Sequence, residues 1–347
     1  MDFDKIISDL KNKVYHPVYF LMGEESYFID EISNYIEKHV LDDSEKEFNQ
    51  SVLYGGETTI FQVISEAKSY PMMSNYRVVI VKEAQNMKDL SPRHSSKEEG
   101  AEEKKHPLEM YMENPQKTTI LVFCHKYKTV DMRTAFAKTL SKRAVVLKSD
   151  TLYDYKVPKW IEGFVASKNY LIEPHASALL TEFLGNDLSK VANELEKLFI
   201  NIPSKTKITP DHIQKFIGIS KEYNNFELND AIGKKDTLRA NRIIQYFSST
   251  PKDNPLVVTI ASLAGYFSKV LVYHSLADKS QNNVASALKV PPFFVKDYTL
   301  AAKNYSFPKV ANIISILREY DMRSKGFESA AVAEGELLKE LLYKIMH

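Results

Sequence analysis

The sequence holds a single cysteine, Cys124, among 347 residues. An internal disulfide framework and a multi-cysteine zinc site are both excluded, and this usage fits a reducing cytoplasm. Charge of one sign is also lacking, since 46 Lys+Arg stand against 45 Asp+Glu. A free-standing DNA-coating protein carries a strong basic excess, so near-neutrality argues against that class while leaving room for a local basic face. No run of about 18 apolar residues is evident, so no membrane span is expected. The opening Met1-Asp-Phe-Asp-Lys5 is acidic and amphipathic, without the basic start and apolar stretch of a signal peptide. The nine histidines are scattered, with no helical pair flanking a glutamate for zinc. No GxSxG elbow, kinase signature set or GxGxxG loop occurs.

What remains is a chain able to fold. It is 44% hydrophobic and 26% charged, enough for real cores. Its length suggests two to three domains. The first ~150 residues alternate two patterns. Strands are expected at Pro17–Met22, Ser51–Tyr54, Arg77–Val81 (read as central), Thr118–Phe123 and Ala144–Leu147. Helical stripes run through Phe28, Ile32, Tyr35, Ile36 and Val40, and through Ile60, Val63, Ile64 and Ala67. Continuous apolar strands separated by helices predict an α/β fold, a mostly parallel sheet with helices on both faces. Residues 88–107 interrupt it with a charged, apolar-poor stretch that reads as a solvated surface insertion. From about Thr151 the strands are expected to stop. Trp160 is read as core of the helical region that follows. Leu188, Val191, Ala192, Leu195, Leu198 and Phe199 repeat at helical spacing, 203–210 reads as a linker, and a boundary is placed near Gly218. The expected order is therefore an α/β domain at 1–149, a small all-α domain at 150–217 and a larger all-α domain at 218–347.

The chemistry expected of an AAA+ nucleotidase is missing at three places. A phosphate-binding loop would follow the first strand with two glycines and a lysine. Here Gly23-Glu-Glu-Ser-Tyr27 has neither the second glycine nor the lysine, and Glu24 and Glu25 would repel a triphosphate. An Asp-Glu pair should end the Val78–Val81 strand, yet Lys82 takes the metal-holding position, and an ammonium cannot ligate magnesium. The stretch Gly185–Lys190 carries no phosphate-sensing arginine. Three losses together point to a fold without its ATP site.

The order of segments resembles the delta-subunit family of the bacterial DNA polymerase III clamp loader. The residues that carry it are PVYFLMGEESYFIDE from Pro17, SYPMMSNYRVVIVKEAQ from Ser69, LGNDLSKVANELEKL from Leu184, FIGISKEYNNFELNDAIGKKD from Phe216, and Pro255-Leu256 with the helical tail. The resemblance implies a degenerate AAA+ domain, a helical lid and a helical collar through which the chain joins ATPase subunits of the gamma/tau type and a delta-prime subunit. It implies a subunit of the polymerase holoenzyme that binds the sliding clamp and opens it, or holds it open, for loading onto primed DNA. No cofactor and no active site of its own are expected, and the location implied is the cytoplasm, at the nucleoid during replication.

The resemblance places the clamp contact at Met72 and Met73, flanked by Tyr70 and Pro71, where some relatives have Leu-Phe. Pro71 is expected to end the preceding helix, leaving two flexible thioethers on a turn. The opposing reading packs both methionines into their own core. A possible DNA contact is formed by Arg318, Arg323, Lys325 and Phe327, against which stands a helix–helix interface. Lys126, Tyr127, Lys128 and Arg133 could bind nucleic acid or simply edge the sheet. Two other functions fit less well: an AAA+ ATPase with an atypical site, and a delta-prime-like rigid scaffold, a type that usually carries zinc-binding cysteines. Charge is divided unevenly: residues 218–347 hold 17 Lys+Arg and 13 Asp+Glu, the first 217 hold 29 and 32. The mildly basic collar could border a DNA path.

Overall fold

The computed structural model describes residues 1–90, 105–218, 220, 222–327 and 332–347. Residues 91–104, most of the insertion expected over 88–107, lie outside the described residues. The chain divides into two compact units, Met1–Leu152 and Tyr153–His347.

In the first unit the elements run α1 (Phe3–Lys11), β1 (Val18–Gly23), α2 (Ser26–His39), α3 (Asp43–Asn49), β2 (Gln50–Tyr54), α4 (Ile60–Lys68), β3 (Arg77–Lys82), α5 (Pro107–Glu113), β4 (Thr119–Lys126), α6 (Ala135–Arg143) and β5 (Val145–Ser149). The five strands form one sheet in the order β2-β3-β4-β1-β5, every pairing parallel. All five expected strands are present. The middle position belongs to β4, however, and β3 lies between it and the edge strand β2.

Alternation along the strands explains why both faces need covers. Val18, Phe20 and Met22 of β1 point to one face, with Ile60, Val63, Ile64 and Ala67 of α4, Leu108 and Met112 of α5, and Phe136 and Leu140 of α6. Tyr19 and Leu21 point to the other, with Ile6 and Leu10 of α1 and Ile29, Ile32 and Ile36 of α2. The buried stripe of α2 centres on Ile29, Ile32 and Ile36, while Phe28 and Val40 sit at its margin. Each aliphatic side chain so enclosed stabilises the unit by about 1.5–3 kcal/mol. Cys124 lies in the middle strand, and burial pushes its thiol up to about 12.

The second unit is helical: α7 (Val157–Ser167), α8 (Pro174–Leu184), α9 (Leu188–Asn201), α10 (Pro210–Ile217), α11 (Asn225–Gly233), α12 (Thr237–Ser249), α13 (Leu256–Ser275), α14 (Gln281–Leu288), α15 (Val295–Asn304), α16 (Phe307–Ser324) and α17 (Glu334–Met346). Strands do not stop at Thr151. Two-residue strands at Leu171–Ile172 and Lys207–Ile208 pair in parallel, so part of the expected 203–210 linker is a bridge. Trp160 is not core either; it is half-buried and stacks on Phe164 at 5.3 Å between ring centroids. Gly218 ends α10 in the left-handed region, φ 85°, where glycine is favoured. The larger core gathers α11, α12, α13, α15, α16 and α17 around Phe247, Phe267, Tyr305 and Tyr320. Tyr305 also donates its hydroxyl proton to the Ile232 carbonyl at 2.9 Å, satisfying an end carbonyl of α11.

Helix α13 is longer and more apolar than the sequence reading allowed. Among the described residues it alone has the length and composition to cross a membrane. Leu256, Ile260, Leu263, Phe267 and Val270 face the helical core, so this apolar surface is used within the unit.

Candidate functional site

The first candidate is the connection from α4 to β3. Thr59 caps α4, its side chain accepting from the Gln62 N–H, and Gln62 answers by accepting from the Thr59 N–H. The helix ends at Lys68 and Ser69 is extended. Thus the chain leaves the helix two residues ahead of Pro71, whose ring restricts the residue before it. Beyond this point apolar side chains face outward. Tyr70 is 75% exposed, Met72 61%, and Met73 as exposed as a side chain can be, at 105%. The two methionines therefore do not pack in their own core.

The loop beneath them is held. Asn49, fully buried at the end of α3, donates from Nδ2 to the Met72 carbonyl at 2.9 Å and accepts the Met72 N–H at 2.7 Å. Arg77, at the start of β3, donates to the Phe48 and Glu66 carbonyls, each at 3.1 Å, and pairs with the Glu66 carboxylate. Met73 adopts φ 51°, a left-handed conformation that costs an L-residue with a long side chain about 1 kcal/mol. Sequence reading missed Asn49 and Arg77, because partners 23 and 11 residues distant leave no local pattern.

The second candidate is the turn after β1, where a nucleotidase would hold phosphate. Gly23 sits at φ 138°, pressed against Ser149. The Ser149 hydroxyl donates to the Glu25 carbonyl at 2.9 Å, and the Glu25 N–H donates to the Ser149 carbonyl at 3.3 Å. The Glu25 carboxylate is buried and accepts the Tyr27 N–H at 3.0 Å. The protein's own carboxyl group thus occupies the start of α2, a place suited to phosphate. At the end of β3, Lys82 forms an ion pair with Glu37 at 2.8 Å, which raises the pKa of its ammonium. Among the described residues no three His, Cys, Asp or Glu side chains gather as a metal site.

Two family models match the chain: DNA polymerase III, delta subunit, over residues 19–150, and the C-terminal domain of the same subunit over residues 222–339. The chain belongs to the DNA polymerase III delta-subunit family. It is 29% identical to DNA polymerase III subunit delta of Bacillus subtilis (strain 168), over 98% of this chain and 97% of that one. It is also similar to a solved structure, the Bacillus subtilis DNA clamp loader delta protein YqeN, with a TM-score of 0.56, 26% identity and 99% of each chain covered. The chain is thus a delta subunit of the clamp loader, and its first unit has the α/β fold, a parallel sheet covered by helices on both faces, that the resemblance implied.

Within this delta-family chain the other candidate residues are placed as follows. Arg318 is exposed on α16, and Phe327, just beyond its end, is 62% exposed. Arg323 is engaged inside the unit: its guanidinium lies 4.7 Å from the Tyr320 ring centroid and pairs with Glu340 of α17 at 3.3 Å. Lys325 pairs with Asp321 at 2.7 Å. In the basic-aromatic group, Lys126 pairs with Asp30 at 2.6 Å and Arg133 with Asp131 at 2.8 Å, while Tyr127 is exposed.

The delta-family chain also has a cavity of about 730 Å³ in its second unit, between α8 and α13. Glu182 and Lys269 line it with Ser262, Asn229 and Tyr298. Glu182 is exposed there, with Lys269 and Ser262 beside it. Burial lowers the Lys269 pKa.

Proposed function

We propose that this clamp-loader delta subunit binds the sliding clamp and opens it, or holds it open, for placement on primed DNA. Met72 and Met73 make the contact, with Tyr70 and Pro71 beside them. One observation carries the reading: two large apolar side chains stand outside the fold on a loop that buried polar groups hold in place. Exposed thioethers on a fixed turn suit an apolar groove on a partner, where a few buried anchors dominate affinity.

In this reading the subunit neither binds nor hydrolyses ATP. The seal between Gly23 and Ser149, the Glu25 carboxylate at the start of α2 and the Lys82–Glu37 pair support it. Partner subunits of the gamma/tau type hold the nucleotide. Residues 150–217 act as the lid, and residues 218–347 as the collar that joins these subunits and delta-prime. Arg318 and Phe327 are the collar candidates best placed to border DNA, and Arg323 and Lys325 stand beside them. The work is done in the cytoplasm at the nucleoid.

Capture of the cognate sliding clamp by the full chain tests the reading. Met72→Ala/Met73→Ala is expected to weaken capture at least tenfold with the fold intact, the scale of losing two interface anchors. Equal capture by wild type and variant would remove the site assignment, and tight Mg-ATP binding by the isolated chain would remove the ATP-free reading.

A further inference from the structure

Asn49 spends its side chain on one distant residue. Both Met72 backbone groups are satisfied by its amide, the carbonyl at 2.9 Å and the N–H at 2.7 Å. The reversed amide would set donor against donor and acceptor against acceptor, so the pairing fixes its orientation. Nδ2 also donates to the Glu45 carbonyl at 3.1 Å, anchoring the amide to its own helix. Arg77 braces the same point by bonding the Phe48 carbonyl, one residue before Asn49, and the Glu66 carbonyl in the helix that leads into the loop. The residue after the locked one, Met73, stands in a backbone region that a long side chain avoids when free to choose.

We propose that Asn49 is a positioning residue for the clamp contact: it holds the Met72–Met73 backbone in the shape that projects both thioethers before a partner arrives. This rests on the clamp-binding reading above. Ordering the loop in advance lowers the entropy lost on association.

The test measures clamp affinity for the full chain with Asn49→Ala, Asn49→Ser, Met72→Ala/Met73→Ala, and the triple substitution. Asn49→Ala and Asn49→Ser, both too short to reach Met72, are each expected to weaken binding about tenfold, the scale of two lost hydrogen bonds. The triple variant is expected to bind within about twofold of the double one, because Asn49 acts only through the methionines. Losses that simply add would overturn the proposal. Amide hydrogen exchange gives a second readout: Met72 should exchange at least about tenfold faster in Asn49→Ser while Val79 and Ile80 stay protected. Unchanged exchange at Met72 would equally overturn it. If Asn49 variants bind normally and the methionine variant does not, this inference alone fails. If the methionine variant binds normally, the clamp-binding reading fails and takes this inference with it.

Discussion

Gly23 and Ser149 meet so closely that a Cβ on the glycine would lie 1.9 Å from the Ser149 carbonyl oxygen. They are also register partners across β1 and β5. The turn that opens around phosphate in a nucleotidase is here stitched to the edge of the sheet.

Gly23→Ala therefore forces both a disfavoured backbone and a steric conflict. It is expected to destabilise the first unit by about 2–5 kcal/mol. A denaturant titration would show a lower midpoint at unchanged slope. An unshifted midpoint would mean that the turn is not packed against β5.

Met73→Gly separates stability from binding. Glycine relieves the left-handed strain but adds freedom to the unfolded chain, so stability should stay level or rise by up to about 1 kcal/mol. If Met73 anchors the clamp as proposed, clamp affinity should still fall, because the exposed thioether is gone. A stability loss above about 1 kcal/mol would show that Met73 supports the fold.

Arg323 and Arg318 should behave differently although both lie on α16. Arg323 covers the buried Tyr320 ring and reaches Glu340, so Arg323→Ala is expected to cost about 1–2 kcal/mol. Arg318→Ala, at an exposed position, should change stability by no more than about 0.5 kcal/mol. If Arg318 meets a phosphate in the assembled loader, its removal lowers the salt slope of DNA binding by about one.

The sheet was legible because its strands are continuous apolar runs with turn residues between them, and periodicity located α4 and α9. Short helices such as α3, with the sequence DSEKEFN, have too few apolar residues for any period to emerge. The bridge between Leu171–Ile172 and Lys207–Ile208 joins segments too short to announce themselves. Trp160 looked like core because tryptophan usually is, yet it lies half-exposed along α7. At the candidate site, Met72 and Met73 could be singled out by resemblance and by Pro71. The amide that holds them could not, because an asparagine contacting a distant backbone leaves no mark on its neighbours.

The burial of Cys124 has a practical consequence for labelling. The chain's one thiol is enclosed in the middle strand and is protonated at any ordinary pH, so it is silent toward maleimides and other thiol reagents. A single cysteine introduced on the surface, for example at the exposed Asn75, becomes the sole reactive handle without prior removal of a native one. A fluorophore attached there would sit beside the methionine pair and report directly whether the sliding clamp docks against it.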